Sequence, residues 1–398
     1  MTVATSSAPK IRLGVVGLGR AFTLMLPTFM GDSRIEIVGA ADPRADARAR
    51  FETEFRRIAH ERIESLCDDR SVEVVYIASP HQLHAEHARI AAAAGKHVLV
   101  EKPMALSIDE CQSMIDSAER ARVHLIVGHS HSFDAPILRT RELIASGEFG
   151  PLRMLTALNF TDFMYRPRRP EELSTPAGGG VVWSQAAHQV DIVRLLAGGV
   201  ARSVHALTGA WDRARPTEGA YSALVRFDHA FASLTYSGYG HFDSDEFCGG
   251  IGELGDLRDS VRYGSARRAL ATARSAAEEA AQKASRGYGG ARHVASDANA
   301  PHHQHFGLII ASCERADLRP QPDRVLIYGD VERREESLPP PTIPRREVID
   351  ELYDAVVHGI KPLHSGEWSL ATIEVCAAIL QSASERREIA LRRQIACG

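Results

Sequence analysis

Val98-Leu99-Val100-Glu101-Lys102-Pro103 is an apolar run that stops abruptly at an acid, a lysine and a proline. A continuous apolar run is the pattern of a strand buried on both faces of a parallel sheet, and open α/β sheets take their ligands at the carboxyl ends of such strands. Lys102 is therefore predicted to stand at the mouth of a binding cleft. In a dry cleft a lysine holds its proton less firmly, which suits it to take one from a hydroxyl. By residue type alone a solvated lysine is the commoner outcome, so the surrounding chain has to decide.

Toward the amino end, Ile11–Val16 reads as a strand, and Gly17-Leu18-Gly19-Arg20-Ala21-Phe22 turns it into a helix. Glycines at such a turn admit a pyrophosphate onto the helix amides, which makes Gly17, Gly19, Arg20, Ala21 and Phe22 cofactor candidates. Phe22 stands where the fingerprint has its third glycine, a position that serves helix packing. A second strand, Ile35–Ala41, ends in Asp42, twenty-five positions after Gly17. An acid there accepts hydrogen bonds from the adenosine ribose and repels a 2′-phosphate, which favours NAD. Arg44 is placed to hold such a phosphate, so NADP stays open.

Val72–Ser79 is a further strand, and the Ser79-Pro80-His81 loop with the helix Gln82–Ala94 follows it. The Ser79-Pro80-His81 loop lies at a strand's carboxyl end, where the nicotinamide side of a dinucleotide is expected to pass, and His84, Glu101 and Lys102 are further cofactor candidates. His81, His84 and His87 recur every three residues. That spacing turns the outer pair roughly 120° apart on a helix, so no metal site is expected from them. Beyond Lys102, Ser107 and Glu110 form a capping box for the helix Ser107–Ala121, and Val123–Val127 is another strand. Strands alternating with helices at this spacing mean a doubly wound sheet.

The whole chain has 398 residues, 44% hydrophobic and 25% charged, enough for two cores. A formal net charge of -4 offers no electrostatic reason for nucleic acid or an anionic membrane as partner. Cys67, Cys111, Cys248, Cys313, Cys376 and Cys397 are scattered without a C-x-x-C pair, so neither zinc nor a disulfide framework is expected. Met1–Lys10 has no apolar signal core and no run nears the ~18 apolar residues of a spanning helix, which predicts a cytoplasmic protein.

In order and spacing, Gly17-x-Gly19, Asp42 and Glu101-Lys102-Pro103 resemble the Gfo/Idh/MocA oxidoreductase family. Gly178-Gly179-Gly180-Val181-Val182-Trp183-Ser184-Gln185-Ala186-Ala187-His188-Gln189-Val190-Asp191 resembles its second motif. The resemblance implies an NAD-dependent dehydrogenase with Lys102 beside nicotinamide and substrate hydroxyl, and with His188 as a second catalytic group. A helix starting after the glycines would bring Ser184, His188 and Asp191 to one side, where Asp191 is expected to orient the histidine ring.

Two departures bear on the substrate. Sugar-active members commonly have an acid where this chain has Ser184 and glycine where it has Ala186, so an ordinary sugar is disfavoured. Asp162-Phe163-Met164-Tyr165-Arg166-Pro167-Arg168-Arg169-Pro170 sets three arginines on a loop, either as a solvated basic stretch or as a clamp for one or two carboxylates. With Gly128-His129-Ser130-His131-Ser132-Phe133-Asp134, Tyr165-Arg166 and Ser184-Gln185, the chain resembles the phthalate-degradation branch of the family. That implies NAD-dependent oxidation of a carboxylated cyclic cis-dihydrodiol, cis-4,5-dihydroxy-4,5-dihydrophthalate, to 4,5-dihydroxyphthalate. Lys102, His129, Tyr165, Arg166, Arg168, Arg169, Ser184, Gln185 and His188 are its expected binding residues. The alternatives are a sugar or inositol dehydrogenase of the same family and a non-catalytic NAD-binding protein.

The expected fold is an N-terminal Rossmann domain, residues 1–134, with a C-terminal α+β domain, residues 135–398, built on a large open, mostly antiparallel sheet. After a helix over Ala135–Ser146, strands are predicted at Leu152–Phe160, Ser203–Ala210, Tyr221–Phe227 and Ala232–Tyr239. An open sheet face invites a homodimer or homotetramer. From Arg258 to Asn299, with Gly287-Tyr288-Gly289-Gly290, an exposed helix and a flexible loop are expected, serving as lid or oligomer contact. His302-His303-Gln304-His305 is a solvated loop or a metal site. Leu338–Pro344 is a connector, and Arg346–His358 and Trp368–Arg387 are closing helices, the second packing back on the first domain.

Overall fold

The computed structural model describes residues 9–198, 200–291 and 301–397. In the first domain the strands are β1 (Ile11–Val16), β2 (Ile35–Ala41), β3 (Ala59–His60), β4 (Val74–Ile77), β5 (His97–Val100) and β6 (Leu125–Val127). The helices between them are α1 (Arg20–Gly31), α2 (Ala45–Phe55), α3 (Ile63–Cys67), α4 (His84–Ala93) and α5 (Ile108–Ala121). The sheet order is β3-β2-β1-β4-β5-β6, and every pairing is parallel. Its register carries the functional consequence. Val16 pairs with Ala41 and with Ile77, Ile77 with Val100, and Val100 with Val127. Five chains therefore leave the sheet along one edge, and Gly17, Asp42, Ala78, Glu101 and Gly128 follow one another there.

The central strands are apolar because both faces are covered. All of β4 is buried. On one side Leu13, Val15, Phe22, Met25 and Phe29 pack with Val348, Ile349 and Leu352. Ser107 caps α5 by accepting from the Glu110 amide at 3.2 Å.

The second domain opens with α6 (Ala135–Ala145), β7 (Leu152–Phe160), α7 (Ala187–Ala197), β8 (Ala201–Gly209), β9 (Ala220–Phe227) and β10 (Phe231–Ser237). It continues through α8 (Ser265–Leu270), α9 (Ala276–Ala284), β11 (Leu308–Cys313), β12 (Ala316–Gln321), β13 (Arg324–Gly329) and β14 (Arg333–Ser337). The chain closes with α10 (Arg346–His358), α11 (Gly366–Glu385) and β15 (Ile389–Ala390). Nine strands form one sheet in the order β14-β13-β12-β11-β7-β10-β9-β8-β15, antiparallel except for β10 beside β7. Strands β11–β14 were not expected from sequence. β12 alternates Ala-Asp-Leu-Arg-Pro-Gln but its Pro320 argues against a strand, and β14, Arg-Arg-Glu-Glu-Ser, lacks the apolar alternation that marks one.

Three expectations for the tail are corrected. Helix α10, not only the last helix, returns to the first domain and completes its core through Val348, Ile349 and Leu352. The Gly287–Gly290 segment is not a loose loop, since Tyr288 is fully buried; residues 292–299 of that stretch lie outside the described residues. His305 is neither solvated nor grouped with His302 and His303, because it is buried with Nε2 2.9 Å from the Ile251 carbonyl and Nδ1 3.3 Å from Cys248 Sγ. Among the described residues no helix is long and apolar enough to cross a membrane.

Candidate active site

Gly17 turns the chain at the end of β1 with φ +90°, and a Cβ there would lie 2.8 Å from the Ala78 carbonyl at the end of β4. Both the conformation and the space demand glycine. Asp42 secures this turn from β2. One carboxylate oxygen accepts from the Leu18 amide at 2.7 Å, and the other accepts from the Arg44 amide at 2.9 Å and Arg44 Nε at 3.1 Å. Arg44 thus clasps Asp42 rather than standing apart as a phosphate site.

The turn opens into a cleft of about 660 Å³. From the first domain it is lined by Gly17, Gly19, Arg20, Ala21, Asp42, Arg44, Ser79, Pro80 and His81, and from the second by Arg169, Glu172, Lys283, Ala284 and Gly287. A glycine turn at the start of the twelve-residue α1, with a buried acid on the neighbouring strand, fits a dinucleotide. Two cofactor candidates are placed elsewhere. The Phe22 ring is wholly buried in the core behind the turn. His84 is also wholly buried, with Nδ1 2.9 Å from the Pro103 carbonyl and Nε2 3.0 Å from the Ser79 carbonyl. Burial lowers its pKa to about 4, so the neutral ring donates to one carbonyl at a time and braces the cleft loop from behind.

At the inner end, Lys102 Nζ donates to the Ser184 carbonyl at 2.8 Å. Burial lowers the lysine pKa, and Glu101 and Glu253 oppose the shift without cancelling it. Glu101 is the acceptor for the Tyr76 hydroxyl at 2.6 Å, and burial raises its pKa. Val182–Ala186 forms a π-helical turn before α7, a widened geometry often found at functional sites. Gly180 precedes it, and a side chain there would collide with the Glu218 carboxylate. The Ser184 hydroxyl is committed to the Gly180 carbonyl, and Gln185 is buried on the same turn.

His188 is 5% exposed, and its Nδ1 is buried without a hydrogen-bond partner among the described residues. Burial, reinforced by the positive charge of Lys102, keeps its ring neutral. The expectation for Asp191 is corrected. Its carboxylate accepts from Trp368 Nε1 at 2.6 Å, from Thr372 Oγ1 at 3.0 Å and from the Ser132 hydroxyl, and it bonds to α11 instead of the His188 ring.

The neighbour of His188 is His131, with ring centroids 4.7 Å apart. Asp134 sits between two histidines, 2.7 Å from His131 Nδ1 and 3.0 Å from His129 Nε2. Burial acts against charge on both rings. It lowers the His129 pKa to about 3, whereas at His131 the combined fields of Asp134 and Glu253 outweigh it and raise the pKa. The ligand atoms of His129, His131 and Asp134 are close enough for a cation, but both carboxylate oxygens are already hydrogen-bonded to the rings. Glu253 lies 3.5 Å from His131 Nε2. Although burial would raise its pKa, His131 and Arg166 hold it near 2. Phe306 closes this side, 4.8 Å from His188 and 5.0 Å from His131. His131 stands in the Gly128–Asp134 run with no role that the sequence assigns it, and nothing in the sequence marks Glu253 or Phe306 as site residues. Glu253 lies in the glycine-rich run Gly249–Gly255, where no motif marks it.

The three arginines separate. Arg166 binds Asp162 through Nε at 3.0 Å. Arg168 lies 3.5 Å over the Phe163 ring, donates from Nη2 to the Phe163 carbonyl at 2.7 Å, and is not presented as part of a clamp. Arg169 pairs with Glu171 at 3.0 Å and lines the dinucleotide cleft. Tyr165 carries the Arg267 guanidinium 3.9 Å over its ring.

These two halves, a glycine-turn dinucleotide cleft and beside it a half-buried lysine near a buried histidine, define a two-domain nicotinamide-dependent oxidoreductase. Residues 11–129 match the model of the oxidoreductase family NAD-binding Rossmann fold, and residues 137–258 match the GFO/IDH/MocA C-terminal domain. The chain is 49% identical over 374 residues to 1-carboxy-3-chloro-3,4-dihydroxycyclo hexa-1,5-diene dehydrogenase of Comamonas testosteroni, covering 93% of this chain and 94% of that one. The crystal structure of a proposed dehydrogenase from Bordetella bronchiseptica RB50 matches with a TM-score of 0.89 at 40% identity, covering 96% of this chain and all of that one. The WlbA dehydrogenase of Bordetella pertussis, in complex with NADH and UDP-GlcNAcA, shares the fold at 21% identity with a TM-score of 0.68, covering 96% of this chain and 99% of that one. The chain belongs to the Gfo/Idh/MocA family, and it is an NAD-binding oxidoreductase.

Proposed function

We propose that this protein oxidises a carboxylated cyclic cis-dihydrodiol to the corresponding dihydroxy aromatic. The observation that carries the reading is the buried juxtaposition of Lys102, the unpartnered Nδ1 of His188 and the His131–Glu253 pair. The likeness to an enzyme named for a carboxylated dihydroxycyclohexadiene supports it. When bound, the nicotinamide supplies the hydride acceptor.

Lys102, with its affinity for protons reduced by burial, takes the proton of the reacting hydroxyl. His188 offers its orphaned Nδ1 to the diol, because a buried polar atom without a protein partner gains most from a ligand that bonds it. Phe306 and the imidazoles of His188 and His131 make a largely aromatic wall, suited to a flat unsaturated ring. Arg166 presents the guanidinium edge left over from its Asp162 bond to a carboxylate. The ketone formed from a cyclohexadiene diol tautomerises to an aromatic ring, which makes the oxidation nearly one-way.

Within this class, cis-4,5-dihydroxy-4,5-dihydrophthalate is the substrate suggested by the chain's motifs. A diol with one carboxylate is the second reading, favoured by the engagement of Arg168 with Phe163 and of Arg169 with Glu171. The test is NADH formation from NAD by the purified protein with the phthalate diol, its mono-carboxylated analogue, the uncharged cis-dihydrodiol and myo-inositol. Turnover of either carboxylated diol above the other two is expected. Preferential turnover of inositol would replace this reading with a polyol dehydrogenase.

A further inference from the structure

The stretch with no sequence motif, Ala276–Gly290, bears directly on the cofactor. Ser275 caps α9 by accepting from the Glu278 amide at 3.2 Å. One face of the helix is tied to the second domain. Glu279 accepts from Arg215 Nη1 at 2.7 Å and from the Arg168 amide at 2.7 Å, and Lys283 is ion-paired with Glu172. Past the end of α9 the chain crosses to the first domain. Gly287 lies so near the cofactor turn that a Cβ on it would be 3.8 Å from Gly19 Cα. The next residue, Tyr288, is fully buried, edge-on to Phe22 with centroids 5.3 Å apart, and its hydroxyl donates to Glu54 at 2.7 Å.

The segment is therefore fastened to both domains and passes across the glycine turn between its fastenings. Ala280, Lys283, Ala284 and Gly287 are the part of it that faces the cleft. We propose that residues 276–290 are a strap that forms the outer wall of the dinucleotide site, with Lys283 facing the cofactor and Tyr288 anchoring the strap behind Phe22. Tyr288 touches no cleft surface and is a positioning residue. Lys283, paired with Glu172, joins Arg169 as a second cation that the second domain brings to the cleft, opposite Arg20 and the Asp42–Arg44 pair of the first. A dinucleotide under a strap held at both ends leaves only when one end yields, so the anchor sets the release rate. The inference concerns the cofactor and holds whichever diol is the substrate.

The test is NADH release from the full-length protein, followed by the loss of bound-NADH fluorescence on mixing with excess NAD. Tyr288→Ala is expected to speed release by about tenfold or more, whereas Tyr288→Phe, which keeps the buried ring, stays within about threefold of wild type. Lys283→Met is expected to weaken NADH binding by about tenfold, as loss of one charge-assisted contact does. Wild-type release from Tyr288→Ala together with unchanged affinity in Lys283→Met would overturn the proposal, and a lowered melting temperature alone would mark Tyr288 as structural. Should Tyr288→Ala not fold, amide hydrogen exchange of the wild-type protein decides. Exchange across residues 276–290 is expected to slow on NADH addition, and unchanged exchange would overturn the strap.

Discussion

Lys102 of the first domain donates from Nζ to the main-chain carbonyl of Ser184 in the second, at 2.8 Å. The nitrogen proposed to handle the proton is thus positioned by backbone from the opposite side of the site, and the Ser184 hydroxyl takes no part in holding it, being bonded to Gly180. Lys102→Met keeps the length of the side chain and removes the base. Turnover is expected to fall by about 10²- to 10⁴-fold, the usual contribution of a general base. NADH affinity, read by fluorescence titration, should stay within a few-fold of wild type.

The pH profile follows from the same lysine. Its neutral form is the proposed base, so kcat/KM should rise with pH through the Lys102 pKa and then level off. That limb should lie below the ordinary lysine value of 10.5, because burial lowers the pKa. Glu253 acts in the opposite direction and raises it. Glu253→Gln should therefore shift the limb to lower pH, and a shift to higher pH would show that Glu253 does not act on Lys102 as a charge.

Asp42 and Arg44 are the residues proposed to set cofactor choice. In Asp42→Ala the repulsion of a 2′-phosphate disappears and the Arg44 guanidinium loses its partner at 3.1 Å. Relative kcat/KM for NADP over NAD is expected to rise at least about tenfold, with a lower melting temperature because the Leu18 amide loses its acceptor. Steady-state rates with both cofactors measure the first effect and thermal denaturation the second.

Arg166 and Arg168 should respond differently to the same substitution. Arg166→Met is expected to raise KM for a carboxylated diol by about 10- to 100-fold, the equivalent of one charge-assisted contact, and to leave an uncharged diol nearly unaffected. Arg168→Met should instead cost stability, since that side chain packs on Phe163 at 3.5 Å and bonds its carbonyl. Equal KM effects from both variants would restore the multi-arginine clamp.

Asp191 distinguishes a structural carboxylate from a catalytic one. Asp191→Ala strands the donors of Trp368, Thr372 and Ser132 and removes the carboxylate that most offsets the burial of Arg194. Loss of about 3–5 kcal/mol in urea unfolding is expected, as for a broken buried charge network. The pH dependence of kcat/KM, measured where the variant is folded, should match wild type, because Asp191 does not touch His188.

What the sequence determined by itself is what local geometry dictates. An apolar run ending at Glu101-Lys102 implies a strand buried on both faces; Gly17 and Asp42 at the ends of successive strands imply a dinucleotide turn; Ser107 and Glu110 imply a helix start. In each case the residues that interact are neighbours in the chain or sit at the ends of adjacent strands of a regular sheet. Tertiary structure alone decided which charged groups meet. Whether Arg166, Arg168 or Arg169 is free depends on Asp162, Phe163 and Glu171, and no periodicity records which partner a flexible side chain reaches. Asp191 went to Trp368, 177 positions away, instead of to the histidine three residues before it. Glu253 reaches His131 and Tyr288 reaches Phe22 from segments without a motif, because packing of distant elements, not local pattern, brings those side chains together.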